Sequence, residues 1–235
     1  MPRTPRYNVI ALTGLVCTAG LGWIAGSWIG AGAAYPAVAA ACFAVLFISV
    51  VSVAGAHHPH SQFGPANSVT TIRAIAAALT AGLVGQAAPP PVIWAAIAIT
   101  VLMVVLDGVD GWLARTTGMA SAFGARFDME TDAAFILILS VLVWQHEKAG
   151  AWVLGCGLMR YAFVAAGWTT PWLAKPLRAT RRGRIVAISQ LIGLGVALAP
   201  IVQPPASAAV AAVTAAGLAW SFAIDVAWLW RRREE

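Results

Sequence analysis

Only nine acidic residues occur in this 235-residue chain, and five of them fall between positions 107 and 132. Asp107 and Asp110 are spaced i, i+3, and Asp128 and Asp132 i, i+4. On a helix each pair projects from a single face, so two facing helices would bring four carboxylates together. Four aspartates carry a formal charge that two divalent cations would neutralise. Hard oxygen ligands favour Mg²⁺, with Mn²⁺ or Ca²⁺ as substitutes. A pair of such ions suits phosphoryl or phosphoalkyl transfer, because it can stabilise both the attacking and the leaving oxygen of an in-line displacement. Gly111 and Ala114 share the helical face of Asp107 and Asp110 and leave room there for a bulky ligand. Arg115 offers a fork of donors matched to a diphosphate, and Gly124 would let the second helix approach closely. Helix capping or a wet interface accounts for one or two helix-end aspartates, but not for four.

The elements that must position these residues are membrane helices. The chain is 60% hydrophobic and 10% charged, against about 25% charged in soluble domains. No Asp, Glu, Lys or Arg occurs between Arg6 and Arg73, which leaves room for two spans of about 20 residues; we place them near 9–31 and 35–55. Pro89, Pro90 and Pro91 break the next apolar interval, giving spans near 69–88 and 92–113. Four more lie near 124–145, 150–170, 184–201 and 206–230, so the expected fold is an all-α polytopic membrane bundle of about eight transmembrane helices.

The net charge of +6 fits membrane orientation better than nucleic-acid binding. Assigned to alternate sides, thirteen Lys and Arg residues fall on one side and only Lys148 on the other. The positive-inside rule then makes both termini and the carboxylate end of the helices cytoplasmic in a cell membrane. Arg3 and Arg6 before an apolar run resemble a secretory signal, but the run is too long and a second span follows at once, so the first helix is expected to be retained. Cys17, Cys42 and Cys156 are odd in number and set in apolar sequence, which indicates neither disulfides nor a thiolate metal site.

The segment from Asp107 to Asp132, DGVDGWLARTTGMASAFGARFDMETD, resembles the signature of the CDP-alcohol phosphotransferase family (CDP-alcohol phosphatidyltransferases). All eight fixed identities, Asp107, Asp110, Gly111, Ala114, Arg115, Gly124, Asp128 and Asp132, stand at the family's spacing. The resemblance implies a six-helix core over residues 57–235, with residues 1–56 as an additional N-terminal transmembrane hairpin. It implies that Asp107, Asp110 and Asp128 are metal ligands and that Asp132 is a ligand to the second metal as well as the proton acceptor. Gly111, Ala114, Arg115, Ser121 and Gly124 would then form the site for the CDP-linked donor. Upstream, Asn67, Thr70 and Arg73 resemble the family's Asn-x-x-Thr-x-x-Arg element, which lines the nucleotide site. From the residues alone, an N-cap by Asn67 or Thr70 and a snorkelling Arg73 explain the same element equally well.

The resemblance implies transfer of a phosphatidyl group from CDP-diacylglycerol to a polyol or polyol phosphate in phospholipid synthesis, with CMP released. Glycerol 3-phosphate is favoured as acceptor over inositol phosphate. The reverse pairing, a CDP-linked head group passed to diacylglycerol, shares the signature. Arg184, the last basic residue of the stretch from Lys175, is read as an acceptor-phosphate ligand. Arg160, a charge in mid-span, should face a cavity or an interior partner; it is read either as a second acceptor ligand or as the partner of Glu130 or Asp225. His57, His58 and His60 surround Pro59 and are read as a polar loop rather than a metal site. Tryptophans near helix ends, such as Trp28 and Trp168, are expected to anchor the helices in the membrane interface. The spacing of Gly26 and Gly30 would permit a homodimer. Two rival readings are a prenyltransferase, which lacks this Gly and Ala-Arg spacing, and a transporter that uses intramembrane carboxylates as a relay.

Overall fold

In a computed structural model the described residues are 7–54, 60, 62–175 and 180–233, and among them are eight α-helices and no strand. Arg3, Arg6, His57, His58 and Arg178 lie outside the described residues. The helices are α1 (Tyr7–Ile29), α2 (Ala34–Ala54), α3 (Pro65–Ala81), α4 (Pro90–Thr116), α5 (Ala122–Gln145), α6 (Leu154–Thr169), α7 (Arg181–Leu198) and α8 (Ala206–Arg231). Each corresponds to one expected span. Five of them, α1, α2, α4, α6 with its 3-10 lead-in, and α8, are long and apolar enough to cross a membrane. The other three are distinguished by what they carry or by length. α3 has 17 residues and contains Arg73. α5 holds Arg126, Asp128, Glu130 and Asp132 in its first half, and α7 opens with Arg181, Arg182 and Arg184. The chain is a polytopic helical membrane protein.

Local sequence sets the helix starts. Pro65 and Pro90 occupy first-turn positions of α3 and α4, where the missing N–H costs nothing and the fixed φ favours entry. Thr180 caps α7, its hydroxyl accepting from the Gly183 N–H at 3.1 Å. Gly118, with φ +65°, turns the chain between α4 and α5 in a conformation that a side chain would oppose.

The residues form two compact units, Met1–Ala134 and Phe135–Glu235, with the boundary inside α5. In the first, an aromatic core of Phe43, Phe47, Phe123 and Phe127 joins α2 to the start of α5, with Ala74 and Ala78 of α3 against it. Phe47 meets Phe127 edge to face at 5.9 Å between centroids, a favourable aromatic geometry. The Tyr35 hydroxyl donates to the Leu79 carbonyl at 2.6 Å and ties the hairpin to α3. Gly22 and Gly26 are buried against α2: a Cβ on Gly22 would lie 3.1 Å from the Pro36 Cα, and one on Gly26 3.4 Å from Tyr35. The small-residue face of Gly26 is thus taken up within the chain.

In the second unit, buried Lys148 donates to the Val202 carbonyl at 2.8 Å, and Ser207 donates to the Lys148 carbonyl at 2.6 Å. These bonds clamp the turn after α5 onto the turn before α8. Arg182 of α7 bonds Asp225 of α8, and Trp172 packs on Trp230 at 5.1 Å. Trp28 and Trp168 are exposed near the ends of α1 and α6, as expected for interfacial anchors.

Candidate functional site

α3, α4 and the first half of α5, all within the first unit, supply the site. α4 ends in the run that holds Asp107 and Asp110, and the short turn through Gly118 leads into α5, which presents Asp128 and Asp132 from its first half. One oxygen each from Asp107, Asp110 and Asp128 can lie within 4.8 Å of the others. That separation lets a single cation reach all three with a small contraction, since Mg²⁺–O bonds are about 2.0–2.1 Å. Asp110 is nearly buried, whereas the Asp128 side chain is 31% exposed. The carboxylate set therefore has an accessible side.

α3 contributes the residue at the centre. Arg73 is fully buried, and its guanidinium meets all four aspartates. Nη1 donates to Asp110 at 2.6 Å and to Asp128, while Nη2 donates to Asp132 and lies 3.5 Å from Asp107. Nε has no partner among the described residues. Arg73 therefore does not snorkel. Sequence reasoning missed this arrangement, although a signal was present: Arg73 is the first charge after a long uncharged interval, and an intramembrane charge needs partners.

The rest of the Asn-x-x-Thr-x-x-Arg element supports the same place. α3 starts at Pro65 behind Gly64, so neither Asn67 nor Thr70 is its N-cap. The Thr70 hydroxyl lies 3.1 Å from both Asp110 Oδ2 and the Ala66 carbonyl. Asn67 donates to the Phe63 carbonyl, and a Cβ on Gly124 would lie 2.7 Å from Asn67 Oδ1. Gly124 is thus where α5 comes close to α3. Ser121 caps α5, its hydroxyl accepting from the Gly124 N–H at 3.1 Å. Gly111 and Ala114 are half-buried on α4, and Arg115 is exposed in its last turn.

Two predicted residues belong to the second unit. Arg160 lies half-buried midway along α6, and Arg184 is exposed in the first turn of α7. Asp225 receives Arg182, and Glu130 pairs with Arg126 at 2.8 Å.

Against four carboxylates, Arg73 supplies one positive charge and leaves a formal excess of three negatives. The oxygen-only ligand set, its spacing and its accessible side fit divalent cations.

Comparison with known proteins agrees with this geometry. An 88-residue stretch is 31% identical to a Cereibacter sphaeroides protein named "CDP-diacylglycerol--glycerol-3-phosphate 3-phosphatidyltransferase", covering 37% of this chain and 40% of that relative. The match thus spans less than half the relative's length. No solved structure matches. The pattern of the CDP-alcohol phosphatidyltransferase family matches residues 63–224, more than half of the chain and the whole of the carboxylate site, and the chain belongs to that family.

Proposed function

We propose that this protein is a metal-dependent phosphatidyltransferase of phospholipid synthesis, which passes a phosphatidyl group from CDP-diacylglycerol to a polyol phosphate. The observation that carries this reading is the convergence of Asp107, Asp110, Asp128 and Asp132, at the family's spacing, on one partly open site. Glycerol 3-phosphate is the favoured acceptor, supported by the name of the Cereibacter relative; inositol phosphate is second. Two Mg²⁺ ions, or Mn²⁺ in their place, would be held by the four aspartates and would neutralise charge on the donor diphosphate.

The chain's own residues divide the remaining work. Asn67, Thr70, Gly111, Ala114, Arg115, Ser121 and Gly124 border the donor, with exposed Arg115 the residue best suited to pair with a phosphate. The acceptor hydroxyl oxygen bonds to the donor phosphorus next to the lipid, and the bond from that phosphorus to the CMP oxygen breaks. The hydroxyl proton passes to an Asp132 oxygen. Arg160 and Arg184 bind the acceptor phosphate. Purified protein given Mg²⁺, CDP-diacylglycerol and a panel of alcohols should release CMP with glycerol 3-phosphate and form phosphatidylglycerol phosphate. Release with no acceptor in the panel would defeat the assignment, and release only with a CDP-linked head group and diacylglycerol would replace it by the reverse pairing.

If Arg184 binds the acceptor phosphate, Arg184→Ala removes a charge-assisted contact of roughly 1.5–3 kcal/mol. The KM for the acceptor should then rise on the order of tenfold to a hundredfold, with that for CDP-diacylglycerol little changed. Arg115→Ala should do the reverse. Equal effects on both substrates would return these arginines to a role at the lipid surface.

The site is assigned to the cytoplasmic side of a cell membrane on the thirteen-to-one distribution of basic residues. A cysteine placed at Thr180 in a chain lacking Cys17, Cys42 and Cys156 should resist impermeant thiol reagents in intact cells and react after lysis. Labelling from outside would reverse the orientation.

A further inference from the structure

The buried arginine at the centre of the carboxylates raises a question that the transfer reaction leaves open. Four aspartates inside an apolar bundle repel one another, and the chain must fold and stay folded when no divalent ion is bound. An isolated buried charge is far more costly than a paired one. Arg73 answers this. Its side chain is 0% exposed, and its two terminal nitrogens reach Asp107, Asp110, Asp128 and Asp132 together. These contacts join α3 to α4 and α5 over sequence separations of 34 (Asp107) to 59 (Asp132) residues. Thr70, one turn earlier on α3, lies against the same Asp110 oxygen that Arg73 contacts.

A guanidinium buried this way has no terminal N–H group facing outward to receive a substrate phosphate. It also contacts carboxylates that a metal ion would use: three of its four partners, Asp107, Asp110 and Asp128, are the residues that offer oxygens within 4.8 Å of one another. Resting on the metal-site reading above, we propose that Arg73 is a built-in counter-cation. It holds the four carboxylates in register when no divalent ion is bound, and it competes with those ions for the same carboxylates. Arg73 is thus a positioning residue, and its positive charge sets how tightly the site binds its ions. Relieved of that charge, the carboxylates should bind divalent ions more strongly but hold together less well without them.

The test uses the full chain in detergent or nanodiscs and needs no turnover. Mn²⁺ binding is followed by electron paramagnetic resonance, and thermal unfolding is measured with and without Mn²⁺, for the wild type, Arg73→Met and Arg73→Lys. Arg73→Met removes the charge while keeping an unbranched chain; Arg73→Lys keeps a charge but loses the fork. Arg73→Met should bind Mn²⁺ on the order of tenfold more tightly than wild type, unfold at a clearly lower temperature without the ion, and recover most of that loss when Mn²⁺ is added. Arg73→Lys should fall between the two on both measures. A protein that can be purified as Arg73→Met only in the presence of Mn²⁺ would support the proposal equally.

Unchanged or weaker Mn²⁺ binding by Arg73→Met would overturn it, because an arginine that only braces the fold would loosen the site when removed. Failure of both variants to fold even with Mn²⁺ would also overturn it. If the wild type itself binds no Mn²⁺ or Mg²⁺, the metal-site reading fails and this inference with it. If the wild type binds Mn²⁺ and the variants match it, only the counter-cation role is lost.

Discussion

Replacing Asp128 by alanine should lower CMP release from CDP-diacylglycerol on the order of 10³-fold, the scale of losing several kcal/mol of charge stabilisation in the transition state. Asp128 is the most exposed of the four carboxylates and can pair its oxygen with those of both Asp107 and Asp110. It is therefore the aspartate best placed to hold an ion that also touches substrate. Asp107→Ala should cause a comparable loss. The fold should survive either change, because Arg73 retains Asp110 and Asp132 as partners. CMP release and thermal unfolding measured on the same preparation separate the two effects. Near wild-type turnover in either variant would remove that residue from the ion site.

Asp132→Asn should cut turnover by a factor on the order of 10²–10⁴, the range for a lost acid–base group, and leave donor binding intact. Asparagine keeps the shape of the side chain and an oxygen that can still accept from Arg73 Nη2, but it has no carboxylate to take a proton. Asp132 lies one helical turn beyond Asp128, on the same face of α5, and outside the trio of oxygens drawn closest together. That placement suits a group reaching from the ions toward an acceptor hydroxyl. Binding of CDP-diacylglycerol and release of CMP by Asp132→Asn distinguish the outcomes. Retained turnover would take Asp132 out of the proton path, and joint loss of binding and turnover would make it an ion ligand alone.

Much of this architecture was legible in the amino-acid sequence, for identifiable reasons. Helix limits were read from prolines and from the long intervals without charge, and these are local signals. The carboxylates stood out because acidic residues are scarce elsewhere, and their i, i+3 and i, i+4 spacing states which side of a helix they share. What stayed hidden depends on contacts between distant segments. Arg73 reaches four partners on two other helices, and nothing within a turn of it announces them. Gly124 was expected to allow a close approach, but the sequence did not say that Asn67 would be its neighbour. Ser121 read as a donor contact, whereas in the fold its hydroxyl also starts α5. Lys148, noticed only as the single basic residue on its side, is a buried clamp because a carbonyl 54 positions away receives its ammonium. That Arg182 of α7 donates to Asp225 of α8 was likewise not legible, because the two lie 43 positions apart.

The central claim is that four aspartates hold divalent ions which this transfer requires. The most direct measurement is CMP release by purified wild-type protein from CDP-diacylglycerol and glycerol 3-phosphate, first after exhaustive chelation and then after return of Mg²⁺. Release should fall to background in chelator and recover with Mg²⁺, while Asp128→Ala stays near background in both. Sustained CMP release from the chelated wild-type protein would contradict the account.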